Sequence, residues 1–366
     1  MTRSIARTLT QIDIAGRALC NRLAVAPMTR VSATESGDAT AAMAHYYERF
    51  AKGGFGLVIT EGLYTDQAYS QGYLNQPGMA NDQQAQAWRS VVERIQAHQG
   101  AAFAQLMHAG ALSQGNRFKR GTAAPSAVRP KGEQMRFYYG NGRYAEPRAM
   151  TDEDIADVIS GFATAARRAM QIAGFDGIEI HGANGYLLDQ FLTDYSNQRA
   201  DRWGGSTAQR VQLTLEVISA VRAAVGDVPL GVRISQGKVN DFGHKWAGGE
   251  QDAEAIFGSL QAAGVDFIHV TEHEAWQPAF ASNAASLVKL ARRYAPGTLL
   301  IANGGLQDAQ RAASVLDEGA DIIALGKAAL ANPDYPQRLA SQQALMPFDP
   351  ALLGPIANIK DIELAR

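Results

Sequence analysis

The chain has 366 residues, of which 46% are hydrophobic, so it can bury a large core. Its 34 Lys and Arg residues nearly balance 36 Asp and Glu residues, so bulk charge favours a small-molecule ligand over nucleic acid or a membrane surface. Cys20 is the only cysteine, which excludes an internal disulfide and a cysteine-ligated metal centre within one chain. Without a signal-peptide pattern or an apolar run approaching about 18 residues, we expect a soluble, cytoplasmic protein.

Eight apolar runs typical of buried strands alternate with helical patterns along the chain. The predicted strands are residues 22–28, 56–62, 101–108, 177–181, 229–235, 267–273, 298–305 and 321–326. Amphipathic or alanine-rich segments of helical length lie between them, among them residues 82–99, 151–173, 207–225, 250–263 and 307–318. Eight strand–helix units at this spacing predict a closed (β/α)₈ barrel, the TIM-barrel fold, as a single domain over residues 1–366.

Two segments stand outside this repeat. Residues 9–20 predict a short hairpin that turns at Ala15-Gly16 and covers the N-terminal face of the barrel. Residues 109–150 form a long insertion after the third strand, on the catalytic side, as lids and binding loops often are. The insertion carries eight basic residues against two acidic ones, so it is either a solvated loop or a contact for a nicotinamide cofactor's phosphate through Arg136 and Arg143.

The last two predicted strands end in glycine. The seventh ends in Asn303-Gly304-Gly305, with a helix expected directly afterwards, and the eighth ends in Gly326-Lys327. Missing side chains let backbone N–H groups approach a phosphate, and these loops commonly bind phosphate in barrels of this kind. The alternative is that both are ordinary turns with a surface lysine.

Polar side chains also follow most of the other strands. They are Thr29, Gln105, His108, His181, Asn184, Tyr186 and Arg233. A buried arginine is costly unless it meets an anion, and a glutamine amide can both donate and accept hydrogen bonds, as the pyrimidine edge of a flavin requires. These strand ends are therefore compatible with a flavin, although each residue alone is weak evidence for one.

Several motifs resemble the Old Yellow Enzyme family. They are residues 21–30 (NRLAVAPMTR), 105–110 (QLMHAG), 181–192 (HGANGYLLDQFL), 196–199 (SNQR) and 202–206 (RWGGS). The resemblance covers about residues 9–340. It implies a TIM barrel that binds FMN and is reduced by NADPH or NADH.

The resemblance also implies which residues bind FMN. Three residues would lie against the flavin ring, namely Pro27, Met28 and Thr29, and Glu61 would border it. Gln105 would hydrogen-bond the pyrimidine portion of the ring, and Arg233 would lie beside N1 and O2. The phosphate end would be formed by Asn303, Gly304, Gly305, Gly326 and Lys327. Lys327 stands where most relatives carry arginine, so the phosphate would meet a single ammonium group rather than the several N–H donors of a guanidinium. We expect no metal.

The implied reaction is the reduction of an activated alkene, which makes the protein an ene-reductase. NAD(P)H would reduce FMN, and FMN would pass hydride to the β-carbon of an α,β-unsaturated carbonyl or nitro compound. His181 and Asn184 would donate hydrogen bonds to the oxygen that gains charge, and Tyr186 would protonate the α-carbon. We expect a monomer or a homodimer.

Two other functions are open from the sequence. One is a flavin-binding protein without turnover. The other is a barrel lyase or aldolase without flavin that uses His108, His181 or His269, although the sixth strand has no lysine for a Schiff base.

Overall fold

The computed structural model describes residues 3–281 and 284–365. Its centre is a barrel of eight parallel strands: β1 (Leu23–Val25), β2 (Leu57–Ile59), β3 (Ala101–Met107), β4 (Gly177–His181), β5 (Leu230–Ile234), β6 (Phe267–Thr271), β7 (Leu299–Asn303) and β8 (Ile322–Leu325). Each strand pairs with the next, and β8 pairs with β1, which closes the barrel. The predicted fold is confirmed, and every strand lies inside its predicted range.

Helices cover the outside of the barrel. They are α1 (Ala41–Lys52), α2 (Asp82–Ala97), α3 (Asp152–Arg168), α4 (Gln212–Val225), α5 (Glu250–Ala262), α6 (Leu287–Tyr294), α7 (Ala309–Asp317) and α8 (Tyr335–Ala340). A π-helical turn, Ala169–Ala173, continues α3, and a separate turn, Thr207–Arg210, precedes α4. The sequence patterns did not single out α1, α6 or α8.

Shorter helices lie outside the barrel repeat. The α-helical ones are Arg3–Arg7, Leu187–Leu192, Lys327–Ala331 and Asp361–Leu364, and the 3₁₀ turns are Gly110–Leu112, Arg136–Tyr138 and Pro350–Leu353. Within the described ranges, no helix is long and apolar enough to cross a membrane.

The N-terminal hairpin closes one end of the barrel. Ile12–Ile14 pairs antiparallel with Arg17–Leu19, and the chain turns through Ala15 and Gly16. Ile14 and Leu19 are fully buried against interior side chains such as Phe103. The hairpin therefore plugs the N-terminal face, as predicted, because the barrel's apolar interior needs a cover there.

The C-terminal face of the barrel is covered by two segments that meet each other. The insertion contributes the strand pair Ala123–Ala124 and Arg148–Ala149 and the turn Arg136–Tyr138. The C-terminal tail returns over the same face, where the Ala357 N–H donates to the Phe137 carbonyl at 2.9 Å. The tail thus packs on the insertion.

A buried ionic contact anchors the end of the tail. Glu363 accepts hydrogen bonds from both terminal nitrogens of Arg30, at 2.7 and 2.5 Å, and from Arg49 at 2.9 Å. Arg30 lies in the segment that leaves β1, five positions after Val25, so the tail is tied to a loop at the C-terminal rim of the barrel. Breaking a buried pair of this kind leaves an uncompensated charge, which costs about 3–5 kcal/mol.

Candidate active site

A cavity of about 680 Å³ opens at the C-terminal rim of the barrel. Eleven of the predicted site residues line it: Pro27, Met28, Thr29, Gln105, His181, Asn184, Tyr186, Arg233, Asn303, Gly326 and Lys327. Its roof comes from residues 133–138 of the insertion and from Leu353 of the tail. The barrel thus brings residues from six strand ends to one covered space.

A second cavity of about 770 Å³ adjoins the first and shares Asn303, Gly326 and Lys327 with it. Gly304 and Gly305 line only this second cavity. The sequence did not point to its other walls, among them Trp276, Arg311 and Phe348. The two spaces together suit a long ligand with a ring at one end and a charged group at the other.

Glu61 lies outside both cavities. Its side chain is fully buried and turned away, with Oε2 accepting from the Arg30 N–H at 2.9 Å and Oε1 from the Tyr47 hydroxyl at 3.2 Å. Burial raises the pKa of Glu61 to about 7. We expected Glu61 to border the cofactor, but it is not among the walls of either cavity. Its hydrogen bond with the Arg30 N–H instead supports the turn that follows Thr29.

The glycine turn after β7 also differs from the expectation. The helix α7 starts at Ala309 rather than directly after Gly305, and Asp308 caps it by accepting from the N–H groups of Gln310 and Arg311, both at 3.0 Å. A helix N-terminus capped in this way has less to offer an anion. A Cβ on Gly304 would lie 2.0 Å from the Glu272 carbonyl oxygen, so packing alone requires that glycine.

Gly326 has a different environment. Its φ is not in the left-handed region, and a Cβ there would meet only Met28, at 3.6 Å. The missing side chain therefore leaves space in the wall shared by the two cavities, beside Lys327. The Lys327 ammonium lies 6.0 Å from the ring centre of Phe348.

His181 ends β4 and is 3% exposed. Its Nδ1 accepts the Ala183 N–H at 3.3 Å, so the proton of the neutral ring is on Nε2. Burial, together with the positive charge of Arg233, lowers the pKa of His181 well below its usual value. His181 is therefore a neutral hydrogen-bond donor at physiological pH.

Asn184 is held in a left-handed conformation, with φ 63°, which asparagine adopts more readily than most residues. Its N–H donates to the Ser235 hydroxyl at 2.8 Å, and its carbonyl accepts from Val239 at 3.1 Å. Behind it, Lys238 and Asp189 form a buried ion pair at 2.9 Å. The loop after β4 is thus fixed to the loop after β5.

Tyr186 packs its ring edge-on to His181, with 4.9 Å between ring centres. Its hydroxyl lies 2.5 Å from the hydroxyl of Tyr73, a residue that the sequence did not suggest. Burial raises the pKa of Tyr186 to about 12, although the hydrogen bond with Tyr73 and the charge of Arg233 work in the opposite direction. Tyr186 consequently holds its proton at neutral pH.

Arg233 places a charge in the cavity wall. Its Nη2 donates to Asn303 Oδ1 at 2.8 Å and to Thr271 Oγ1 at 3.1 Å, and its buried Nε has no hydrogen-bond partner among the described residues. Burial lowers the pKa of Arg233, but a guanidinium stays charged in proteins. A cation with an unfilled donor favours a ligand that carries or gains negative charge.

Gln105 supplies the complementary group. Its Nε2 donates to Glu179 Oε1 at 2.7 Å, which leaves its Oε1 available as an acceptor. A flavin ring needs an acceptor for its N–H and positive charge where reduction places negative charge, and its phosphate needs a small-residue turn with a cation. Gln105, Arg233, Gly326 and Lys327 meet these needs, so the site fits FMN.

The histidines of the lyase alternative do not converge. His108 lies away from the cavity, in a cleft with Asp66, and its Nδ1 accepts the Gly110 N–H at 3.1 Å. His269 is sealed inside the barrel with no exposed surface. In the part of the chain that the structure describes, no three acidic, histidine or cysteine side chains come together as a metal site.

The sequence profile of the NADH:flavin oxidoreductase / NADH oxidase family matches residues 9–345. The chain belongs to this family. It is therefore a flavin oxidoreductase of the Old Yellow Enzyme type, and the resemblance found in its motifs is confirmed.

Two relatives of known name are similar in sequence to this chain over most of its length. A probable flavin mononucleotide-dependent alkene reductase of Leishmania infantum is 34% identical over 361 residues, which are 96% of this chain and 94% of that protein. The 12-oxophytodienoate reductase 2 of Arabidopsis thaliana is 33% identical, covering 87% of this chain and 84% of its own length.

Solved structures give the same result for the fold. An Old Yellow Enzyme homologue from Zymomonas mobilis superposes with a TM-score of 0.87, at 29% identity and 98% coverage of both chains. A morphinone reductase in complex with tetrahydroNAD superposes with a TM-score of 0.83, at 30% identity, covering 94% of this chain and 93% of that one.

The protonation state of His181 can be tested by nuclear magnetic resonance. Because burial depresses its pKa, we expect a neutral ring with the proton on Nε2 at about pH 6.5, where a free imidazole is half protonated. Imidazole ¹⁵N shifts of labelled protein report this directly, with the exposed His45 as the reference signal. A His181 midpoint between about pH 6 and 7 would contradict the assignment.

Proposed function

We propose that this protein is an FMN-dependent ene-reductase, which uses NADH or NADPH to reduce the activated double bond of an α,β-unsaturated carbonyl or nitro compound. The observation that carries the proposal is the meeting of His181, Asn184 and Tyr186 with Arg233 and Gln105 in one covered cavity. When bound, FMN supplies two-electron chemistry, accepting a hydride from the nicotinamide and donating one to the alkene.

The proposed FMN contacts follow the walls of the two cavities. Pro27, Met28, Thr29, Gln105 and Arg233 hold the ring end, and Asn303, Gly304, Gly305, Gly326 and Lys327 hold the phosphate end. Arg233 favours a ring that gains negative charge on reduction, because a buried cation gains most from a nearby anion. We propose Arg311 as an additional phosphate contact, since its guanidinium stacks on Trp276 in the same cavity, 4.0 Å from the ring centre.

His181 and Asn184 bind the oxygen of the substrate in this proposal. Negative charge builds on that oxygen when the β-carbon is attacked, and fixed donors stabilise it without reorganising. The neutral tautomer of His181 presents an N–H, and the rigid backbone of Asn184 holds its amide in place. Losing one such donor costs about 10²–10³ in rate.

Tyr186 is the proposed proton donor to the α-carbon. For its own proton to face the substrate, the Tyr73 hydroxyl must be the donor in the hydrogen bond between them. That bond also stabilises the phenolate left on Tyr186. A phenol with a pKa of about 12 keeps its proton from solvent at neutral pH but can give it to a strongly basic carbon.

Replacing Tyr186 by Phe tests the proton-transfer role. We expect reduction of the enzyme by NADPH to be unchanged, and reoxidation by 2-cyclohexenone to slow about 100-fold or more, as measured by stopped-flow absorbance. Tyr144→Phe is the matched control, because Tyr144 is buried in the same aromatic cluster but its hydroxyl makes no hydrogen bond within the described residues. Full reoxidation rates in Tyr186→Phe would refute the role.

We propose that Arg136, rather than Arg143, meets the extra phosphate of NADPH. Both are exposed, but Arg136 lines the first cavity, whereas Arg143 lines neither cavity. An exposed charge pair is worth about 1 kcal/mol at most, or about fivefold in binding.

Alanine variants of the two arginines test this proposal. Arg136→Ala should raise the KM for NADPH about fivefold and leave the KM for NADH unchanged, whereas Arg143→Ala should change neither. Steady-state kinetics at low ionic strength measure both constants, because salt screens exposed charges. Equal effects of Arg136→Ala on the two nicotinamides would contradict the assignment.

We also propose a cytoplasmic location and action as a monomer or homodimer on a small-molecule alkene, with no nucleic-acid or membrane partner. The support is the near-balanced charge of the chain and its single cysteine, Cys20, which is free and exposed. A free exposed thiol is typical of a reducing compartment.

A further inference from the structure

Two ionisable side chains lie inside the barrel, below the cavity, and have no part in the reaction proposed above. Glu179 in β4 and His269 in β6 both have no exposed surface. Glu179 Oε2 and His269 Nδ1 are 2.7 Å apart, and Glu179 Oε1 accepts from Gln105 Nε2 at the same distance. Burying such groups costs several kcal/mol per charge, which calls for a compensating function.

Their positions in the sheet link the two groups proposed for the flavin ring. Glu179 is in register with Gln105 across the β3–β4 pair, and His269 is in register with Arg233 across the β5–β6 pair. The charge of Glu179 opposes the effect of burial on the pKa of Arg233. The pair therefore contacts Gln105 directly and Arg233 through its field.

The hydrogen bonds define the charge of the pair. Burial lowers the pKa of His269, which favours the neutral ring. We assign the proton of that ring to Nδ1, because the facing atom, Glu179 Oε2, is a carboxylate oxygen that accepts hydrogen bonds. Its Nε2 is buried and makes no hydrogen bond to any described residue. With this proton placement the pair carries one negative charge, held by two donors, beneath the part of the cavity wall that contains the buried guanidinium of Arg233.

We propose that Glu179 and His269 are positioning residues that set the affinity for FMN and its reduction potential. Glu179 fixes the Gln105 amide so that Oε1, rather than the NH₂ group, faces the ring. Its charge offsets that of Arg233, so that Arg233 stabilises the reduced, negatively charged ring less than it otherwise would. His269 holds Glu179 in place. The inference rests on the FMN site proposed above.

The sign of the effect follows from the charges. With a neutral side chain at position 179, the field of Arg233 is unopposed and favours the reduced ring. The freed Gln105 amide no longer has one preferred orientation, so the oxidised ring binds less tightly. The unopposed field of Arg233 shifts the two-electron potential of bound FMN in the positive direction. The loss of the Gln105 orientation weakens binding without favouring either oxidation state, because the ring N–H that Gln105 accepts from is present in both.

Glu179→Gln is the direct test, since it removes the charge at nearly constant volume. We expect the reduction equilibrium of bound FMN to shift at least tenfold toward the reduced form, which is about 30 mV for a two-electron couple, in an anaerobic titration against a reference dye. We also expect the dissociation constant of oxidised FMN, from quenching of flavin fluorescence, to rise about tenfold.

The matched control is Asp252→Asn. Asp252 is also a buried carboxylate with two donors, the Thr207 hydroxyl at 2.5 Å and the Gly248 N–H at 2.7 Å, but it lies at the start of α5, outside both cavities. We expect less than a twofold change in either FMN constant. A shift as large as that of Glu179→Gln would overturn the proposal, because it would show a general response to lost buried charge.

Glu179→Asp separates the two roles and carries the test if Glu179→Gln does not fold. It keeps the charge but withdraws it from Gln105, so FMN should bind about tenfold more weakly while the potential moves less than it does in Glu179→Gln. Wild-type affinity and potential in either variant would overturn the proposal. Neither readout uses an alkene, so a protein that binds FMN without reducing enones would contradict the proposed function alone.

Discussion

The buried guanidinium of Arg233 is the constraint on which the arrangement of the site depends. It cannot lose its proton, two of its hydrogen bonds go to Thr271 and Asn303, and its Nε has no partner in the described chain. Such a group is tolerated only where negative charge comes close. The structure supplies part of that charge from below, through Glu179, and leaves the cavity above for a ligand that gains charge when it is reduced.

The covered cavity depends on contacts between distant parts of the chain. The Tyr138 hydroxyl of the insertion donates to the Thr29 carbonyl at 3.2 Å, the tail adds Leu353 to the cavity wall, and Glu363 ties the tail to Arg30. Excluding water in this way strengthens the hydrogen bonds that His181 and Asn184 can give. Anchoring of the cover and the strength of the site's electrostatics are therefore linked.

Period and spacing were enough to predict the barrel and its hairpin, and the polar strand ends predicted much of the cavity wall that the strands supply, because strand ends of a closed parallel sheet converge on one rim. Contacts between side chains that lie far apart in the sequence were not predictable. Tyr73 and Tyr186 are 113 positions apart in the sequence but share a hydrogen bond. The orientation of the Glu61 side chain depends on the position of the Tyr47 hydroxyl that donates to it. A carboxylate and an imidazole inside apolar strands, Glu179 and His269, were a readable signal of a buried network, since such residues are costly to bury.

The central claim is that one cavity holds FMN and lets its reduced form pass electrons to an activated alkene. Anaerobic absorption spectroscopy of the purified protein tests it most directly. The account predicts a bound flavin band that bleaches when NADPH or NADH is added and returns when 2-cyclohexenone follows. A protein that takes up no FMN, or a bleached band that the enone does not restore, would contradict it.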